Sequence, residues 1–257
     1  MRSMTLARRF SQAAFAAVLA STSAMTLPSS NTQPLATMNH EHPVDVLSVK
    51  QRALVPIAAL GAAGDISRLV TALDQGLDAG LTITDAREVL VQLYAYAGFP
   101  RSLNALGELM KTVEARKQRG VHDIEGKPPL RSVPTGDALR AAGTANQTKL
   151  VGGPVTGALF EFAPAIDHYL KAHLFGDIFE RDNLDWQSRE LATVSMLATM
   201  QGVESQLQSH LRISMNVGLS AGQLRQLVNV LGERVDSDAG RRAGEALERN
   251  LATAVKQ

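Results

Sequence analysis

Two residues of the 257-residue chain, Glu190 and His210, are placed where they could exchange a proton. Glu190 stands four residues before Val194, so its carboxylate falls on the apolar face of a predicted helix. His210 follows Leu207 by three on the next predicted helix, at the edge of the expected core. A tight turn at 201–202 makes these helices antiparallel, and a buried carboxylate needs a partner. The sequence therefore predicts an acid–base pair, with a purely structural hydrogen bond as the alternative.

Several other chemistries lack the residues that they require. The chain has no cysteine, which excludes thiol nucleophiles, disulfides and Cys-ligated zinc. It contains no glycine-rich phosphate loop, zinc-protease helix or Gly-x-Ser-x-Gly motif. His168 and His173 are five residues apart, about 140° around an α-helix, so they do not converge on one metal ion. We therefore expect neither a bound metal nor a cofactor.

The composition is that of an ordinary globular protein. Hydrophobic residues make up 45% of the chain, and 26 basic residues nearly balance 25 acidic ones. A near-neutral charge with only 4% aromatic residues argues against nucleic-acid binding. No segment approaches the roughly 18 consecutive apolar residues of a membrane-spanning helix. We expect neither nucleic acid nor a membrane as a partner.

The first residues have the pattern of an export signal. Three arginines precede an alanine-rich apolar run at 13–20, and small residues follow at 21–24. This predicts a signal at 1–24 and a flexible spacer at 25–48, which would make the mature protein periplasmic or secreted. A mitochondrial presequence, or an amphipathic N-terminus that is never cleaved, are the alternatives.

The remainder of the chain predicts an all-α fold built from two related copies. From Arg52 onward the apolar spacing is helical, and strand-like alternation is almost absent. Residues 76–82 align with residues 214–220 at an offset of 138, which indicates an internal repeat. We therefore predict a first copy at 49–115, a connector at 116–160 and a second copy at 161–257.

The repeat also predicts local features. Gly80 and Gly218 should each end a helix, and Thr84 and Ser220 should each cap the next one. Helices are further expected at 137–150 and within 163–180. Alanines occupy the positions of the first copy that correspond to Glu190 and His210, so the polar pair occurs once per chain; these alanines are Ala53 and Ala72.

The second copy resembles the carboxymuconolactone decarboxylase family. The resemblance covers residues 174–197, 202–210 and 216–220, including the run Asp185-Trp-Gln-Ser-Arg-Glu-Leu191. The first copy is similar to the same family over residues 84–105, including Leu93-Tyr-Ala-Tyr-Ala-Gly-Phe-Pro100. The resemblance implies a helical fold of the alkylhydroperoxidase-like type and assembly into trimers or hexamers.

The active-site motif shows which of two branches of the family this chain resembles. In the alkylhydroperoxidase branch the active site is Cys-x-x-Cys-x-x-x-His, which here reads Val203-x-x-Gln206-x-x-x-His210. Thiol peroxidase activity is therefore excluded, because the chain holds no thiol. The decarboxylase branch implies cofactor-free loss of carbon dioxide from a carboxylated lactone or a related oxo acid. In that scheme His210 is the general acid, and Glu190 orients it or exchanges its proton.

Other residues are candidates for substrate binding. A cation at Arg189 or Arg212 could bind substrate carboxylates, although Arg189 could equally be a helix-surface charge. Glu88, Gln92 and Tyr96 recur every four residues on one helix face and could line the same pocket.

Two other functions remain open at this point. The chain could be a non-catalytic helical oligomer that binds a small ligand, or a hydratase or isomerase that uses the same pair. An open pocket beside the pair would favour an enzyme, and a closed core would favour the binding protein.

Overall fold

A computed structural model describes residues 45–254. These residues form α-helices and one π-helix, and the described part of the chain contains no strand. No helix within it is long and apolar enough to cross a membrane. The predicted export signal at 1–24 and most of the predicted spacer lie outside the described residues.

The helices fall into two similar sets joined by a partly helical connector. Five helices form the first copy: α1 Val49–Ala63, α2 Ile66–Asp78, α3 Ile83–Gln92, α4 Tyr94–Ala97 and α5 Phe99–Gln118. The second copy has four: α9 Trp186–Ala198, α10 Glu204–Asn216, α11 Ala221–Arg234 and α12 Ser237–Ala254. Between them lie α6 Gly136–Val151, α7 Ala158–Phe162, α8 Pro164–His168 and the π-helix Tyr169–Ile178.

The predicted offset of 138 residues recurs in the helix boundaries. Helices α2, α3 and α5 begin at residues 66, 83 and 99, and α10, α11 and α12 begin at 204, 221 and 237. The pair α3 and α4 together corresponds to the single helix α11. The predicted fold class, two related helical copies, is confirmed.

One predicted helix cap is correct and its counterpart is wrong. Ser220 caps α11, where its side chain accepts a hydrogen bond from the Gln223 amide. In the first copy the cap is Thr82 rather than Thr84, because Thr82 and Asp85 form a reciprocal capping box. Thr84 lies inside α3, and its hydroxyl donates to the carbonyl of Glu125 in the connector.

Helices α1 and α9 lie at the centre of the larger of two hydrophobic clusters in the described residues. Every residue of α1 from Ala53 to Ala62 is buried, as is every residue of α9 from Ser188 to Ala198. Helices that are buried on all sides form the interior of a helical protein, with amphipathic helices around them. Both copies therefore share one core.

The connector contributes a helical hairpin of α6 and the π-helix. The structure is helical within 163–180, as expected, but from Tyr169 to Ile178 the backbone is π-helical, and Phe179 N–H donates to Leu174 O. The predicted helix at 137–150 is confirmed as α6. The π-helix packs directly on α6, because both present a glycine at the crossing: Gly143 and Gly176.

Candidate functional site

The structure brings Glu190 and His210 into direct contact. Asp185 caps the start of α9, and Glu190 lies on the second turn of that helix, fully buried. His210 lies on the antiparallel helix α10, and its Nδ1 is 2.8 Å from Glu190 Oε2. Because Nδ1 faces the carboxylate, the other ring nitrogen, Nε2, is the one that can meet a substrate.

A tyrosine of the first copy completes this cluster. Tyr96 lies on α4, and its ring meets the His210 ring edge-on at 5.6 Å between centroids. Burial raises the pKa of Tyr96 above its usual value of 10.0, and the negative charge of Glu190 raises it further. The phenol is therefore protonated at neutral pH and can donate a hydrogen bond.

Arg189 lies in a buried ionic network beside the pair. Its Nη2 donates to Glu88 Oε2 at 3.2 Å and to the Arg181 carbonyl at 3.0 Å, and its Nη1 donates to Gln92 Oε1 at 3.2 Å. Gln92 Nε2 donates in return to the Arg189 carbonyl. The helix-surface alternative for Arg189 is therefore wrong, because its guanidinium is fully buried against the first copy.

Arg181 is a member of this network that the sequence did not reveal. Its Nε and Nη2 donate to the two oxygens of Glu88 at 2.9 and 2.6 Å. Burial by itself raises the pKa of Glu88, but the hydrogen bonds from Arg181 and the positive charges of Arg189 and Arg181 hold it below 4.5. Arg181 follows the end of the π-helix, where no periodicity marks it, so spacing alone could not identify it.

The second predicted substrate-binding cation lies apart from these residues. Arg212 is exposed on α10, and no hydrogen bond or ion pair joins it to another residue of the described chain. Among the predicted site residues, the structure thus brings together Glu88, Gln92, Tyr96, Arg189, Glu190 and His210, and leaves Arg212 outside.

Three buried polar atoms near the pair have no partner within residues 45–254. They are Glu190 Oε1, the Tyr96 hydroxyl and Arg189 Nε. Buried polar groups in native proteins are nearly always hydrogen-bonded, so such a cluster marks a place for water or a polar ligand. The described residues contain no group of three or more potential metal ligands.

Cavities lie near the ionic network rather than at the pair. Glu88 and Arg181 line a cavity of about 280 Å³ that is also lined by connector residues, among them Glu125, Pro128 and Pro129. Neither Glu190 nor His210 lines any of the five cavities described for this part of the chain. The pair is therefore closed to solvent except for a small exposed part of the His210 ring.

Both copies contribute residues to the site, the second copy from its first helices and the first copy from its later ones. Glu190 and His210 come from the first two helices of the second copy, and Tyr96 comes from the later helices of the first copy. At the equivalent place on the other side, Ala53 and Ala72 correspond to Glu190 and His210, and the counterparts of Glu88, Gln92 and Tyr96 are Gln226, Val230 and Arg234. Within the described residues, only one of these two related positions has the acid–base cluster.

The fold and site define a class of protein: two related helical units that share one carboxylate–histidine site. The model of the carboxymuconolactone decarboxylase family matches residues 34–110 and 164–249, which is more than half of the chain. The chain belongs to this family. The first matched segment covers α1 to α4 and the first half of α5, and the second covers α8, the π-helix, α9 to α11 and most of α12. A search of the curated proteins returns no match.

Proposed function

We propose that the protein is a cofactor-free acid–base enzyme that removes carbon dioxide from a small carboxylated lactone or a related oxo acid. The observation that carries this proposal is the contact between His210 Nδ1 and Glu190 Oε2. It is supported by the unpartnered polar atoms beside it and by the alanines at the equivalent positions of the first copy. The repeat geometry does not require a polar pair there, so its presence needs another reason.

Each residue of the cluster has a role in such a reaction. When the carbon–carboxylate bond breaks, its electrons move into the conjugated lactone carbonyl and give an enolate. The Tyr96 hydroxyl is the donor that would stabilise the enolate oxygen. His210 Nε2–H would then protonate the carbanion carbon, and solvent would restore its proton. Glu190 accepts from Nδ1–H and so fixes the ring orientation and stabilises the imidazolium.

The ionic network fixes the positions of these residues relative to one another. Arg189 is adjacent to Glu190 in sequence, and it binds Glu88 and Gln92, which precede Tyr96 on the helices of the first copy. The buried ion pair thus connects α9, which carries Glu190, with α3, the helix directly before the one that carries Tyr96. In this arrangement Arg189 positions the site, and its bonded Nη groups do not face a substrate.

The test is carbon dioxide release from a panel of carboxylated lactones. We expect His210→Ala to lower turnover by at least about 100-fold and Glu190→Gln by a smaller factor. The matched control is His173→Ala, because His173 Nδ1 is 2.5 Å from Asp177 Oδ2 on the half-exposed π-helix. This second pair should be dispensable. A parent protein that releases no carbon dioxide from any member of the panel would contradict the proposal.

The closed setting of the pair favours a second candidate, a non-catalytic helical oligomer that binds a small ligand and in which Glu190 and His210 satisfy one another. If this is correct, Glu190→Gln and His210→Ala lower the free energy of unfolding, and no member of the panel is converted. A hydratase or isomerase that uses the same cluster would instead give a product of altered mass or double-bond position. Mass spectrometry and NMR of the reaction mixtures distinguish these outcomes.

We further propose that the protein is exported and assembles into trimers or hexamers. Several large apolar side chains are highly exposed, which supports coverage by neighbouring copies: Phe99, Leu130, Leu159, Phe162 and Tyr169. N-terminal sequencing of the protein recovered from cell fractions tests the export signal, with cleavage expected after Ala24.

A further inference from the structure

The largest of the five cavities described for this part of the chain lies on the first copy. It has a volume of about 830 Å³ and lies between the start of α3 and the later turns of α5. Leu109 is buried at its floor, and Leu106 and Val113 are half-buried against the core beside it. Ile83 and Met110 complete the apolar lining. A concave volume of this size with an apolar floor is typical of a small-molecule site.

The polar side chains at the rim of this cavity are already bonded within the chain. Three pairs surround it: Arg87–Glu125 at 2.7 Å, Lys111–Glu108 at 2.8 Å and Gln118–Glu114 at 3.0 Å. Within the described residues, each charged side chain that lines the cavity therefore has a partner, and two basic lining residues balance two acidic ones. An ionic ligand would lose its hydration without gaining a free partner, which is costly. The cavity therefore favours an uncharged ligand.

The second copy places an ion pair where the first copy has this apolar lining. At the offset of 138 residues, Met110 corresponds to Glu248 and Arg87 corresponds to Arg225. Arg225 Nη2 lies 3.4 Å from Glu248 Oε1, so an ion pair joins α11 to α12. In the first copy Met110 cannot form this pair, and Arg87 binds Glu125 of the connector instead. The apolar lining is thus a property of the first copy and not a requirement of the fold.

The connector fixes one wall of the cavity. The backbone amides of Ile83 and Thr84 donate to the carbonyls of Ile124 and Glu125, each at 2.9 Å. Gly126 follows with a positive φ, and a Cβ there would collide with the threonine that caps α3. The connector can therefore lie directly on the start of α3, where it holds Glu125 at the rim. The folded chain shapes this cavity by itself, as is usual for ligand sites.

We propose that this α3–α5 cavity binds an uncharged, predominantly apolar small molecule. Its volume admits a ligand on the order of 20 non-hydrogen atoms. Burial of the ligand's apolar surface drives binding, and the exposed surface of Leu106, Met110 and Val113 is covered at the same time. The rim offers no free charge, so an ionic head group gains no partner there. The acid–base cluster contributes no residue to the cavity, so this site is separate from the proposed reaction.

Fluorescence titration of the full chain with N-phenyl-1-naphthylamine, an uncharged apolar dye, tests the proposal. We expect saturable binding of one dye per chain, with a Kd on the order of 10 µM. Met110→Glu introduces the residue type that the second copy has at this position and should raise the Kd at least about tenfold, because it places a carboxylate against the dye. Met110→Leu keeps the lining apolar and should bind the dye like the parent.

The matched control is Leu103→Glu on the same helix. Leu103 is 63% exposed and does not line the cavity, so this variant should leave the Kd unchanged. Met110 is 69% exposed, so neither glutamate enters the core, and circular dichroism checks that both variants retain their helices. A parent chain that does not bind the dye would overturn the proposal. So would equal loss of binding in Met110→Glu and Leu103→Glu.

Competition with the dye tests the charge of the ligand. 1-Decanol and decanoate have the same chain length and differ in the head group, and 1-decanol should displace the dye at a concentration at least about tenfold lower. Equal or better displacement by decanoate would overturn the uncharged class. Sedimentation velocity in the same solutions reports on association, and release of the dye as the chain associates would assign the cavity to a protein interface and overturn the ligand site. None of these measurements depends on carbon dioxide release.

Discussion

At the scale of single residues, Tyr96 distinguishes a catalytic cluster from a structural one. Its hydroxyl is buried without a partner in the described chain, so its removal deprives no other described group of a hydrogen bond. We predict that Tyr96→Phe changes the free energy of unfolding by less than about 1 kcal/mol and lowers turnover by about 100-fold or more. Urea denaturation and carbon dioxide release measure the two effects separately.

Tyr94 provides the control for this variant. Its hydroxyl is also buried and unpartnered within the described residues. Its ring, however, stacks on Phe99 with 4.4 Å between the ring centroids, whereas the Tyr96 ring contacts His210. Tyr94→Phe should therefore leave both stability and turnover near the parent values. Equal loss of turnover in the two variants would show that the Tyr96 hydroxyl has no particular role.

Glu88 predicts how stability changes with pH. Its pKa is held below the unfolded value of 4.5, so its charge stabilises the folded state above that pH, and this contribution is lost as the pH falls below 4.5. Glu88→Gln removes that dependence and also leaves Arg189 buried without its carboxylate. We predict a loss of about 3–5 kcal/mol at neutral pH that becomes smaller in acid.

Urea denaturation from neutral pH to below pH 4.5 measures this difference. Glu248→Gln is the control, because Glu248 is exposed and bonds only to Arg225 among the described residues. Its unfolding curve should follow the parent at every pH. A constant difference between Glu88→Gln and the parent would mean that the Glu88 pKa is not lowered.

The sequence predicted part of this residue-scale arrangement. The contact between Glu190 and His210 followed from helical spacing and one tight turn, since both depend on local geometry. The position of Arg189 did not, because an arginine on a helix is usually solvated and only the tertiary partner Glu88 makes burial favourable. Arg181 lies between helices, where periodicity provides no information.

At the scale of helices, the sequence located the elements but not their hydrogen-bonding type. Apolar periodicity identified the helix within 163–180, but it did not reveal the π-helical backbone from Tyr169 onward. Periodicity within the segment also could not show its neighbour: Gly143 of α6 allows close contact with the π-helix. A Cβ at Gly143 would lie 1.7 Å from the Lys171 carbonyl oxygen, so no other residue can occupy this position without displacement.

This contact predicts a large effect of a small substitution. Gly143→Ala should destabilise the protein by about 1–3 kcal/mol, because the hairpin must separate to admit one methyl group. Gly232→Ala, in α11, is the control, since a Cβ there meets no atom within 4 Å. It should stabilise the protein by about 0.5–1 kcal/mol through the higher helix propensity of alanine. Thermal unfolding of both variants measures the contrast, and equal midpoints would contradict the close packing.

At the scale of the whole molecule, the internal repeat could be predicted and the pairing of its halves could not. The offset of 138 residues was visible in the sequence because each copy repeats the same local turns. Self-similarity, however, identifies units and not how they pack. It therefore could not show that Tyr96 of the first copy lies against His210 of the second.

The shared core predicts that the two copies unfold together. Helices α1 and α9 belong to one hydrophobic cluster, so neither copy can lose its structure without exposing the buried surface of the other. Trp186, the single tryptophan, lies at the start of α9 and packs against the π-helix and α6, so its fluorescence reports on the second copy and the connector, whereas circular dichroism reports on all helices. We predict coincident urea transitions by the two probes.

Leu60→Ala in α1 tests this coupling, because it perturbs the first copy, which contains no tryptophan. Leu60 is nearly fully buried, and its truncation should cost about 2–5 kcal/mol. The fluorescence and dichroism midpoints should shift by the same amount. A dichroism transition that splits while Trp186 fluorescence keeps the parent midpoint would show that the copies unfold separately. The site takes residues from both copies. If they unfold together, turnover therefore disappears at the common midpoint, and no partly folded state retains activity.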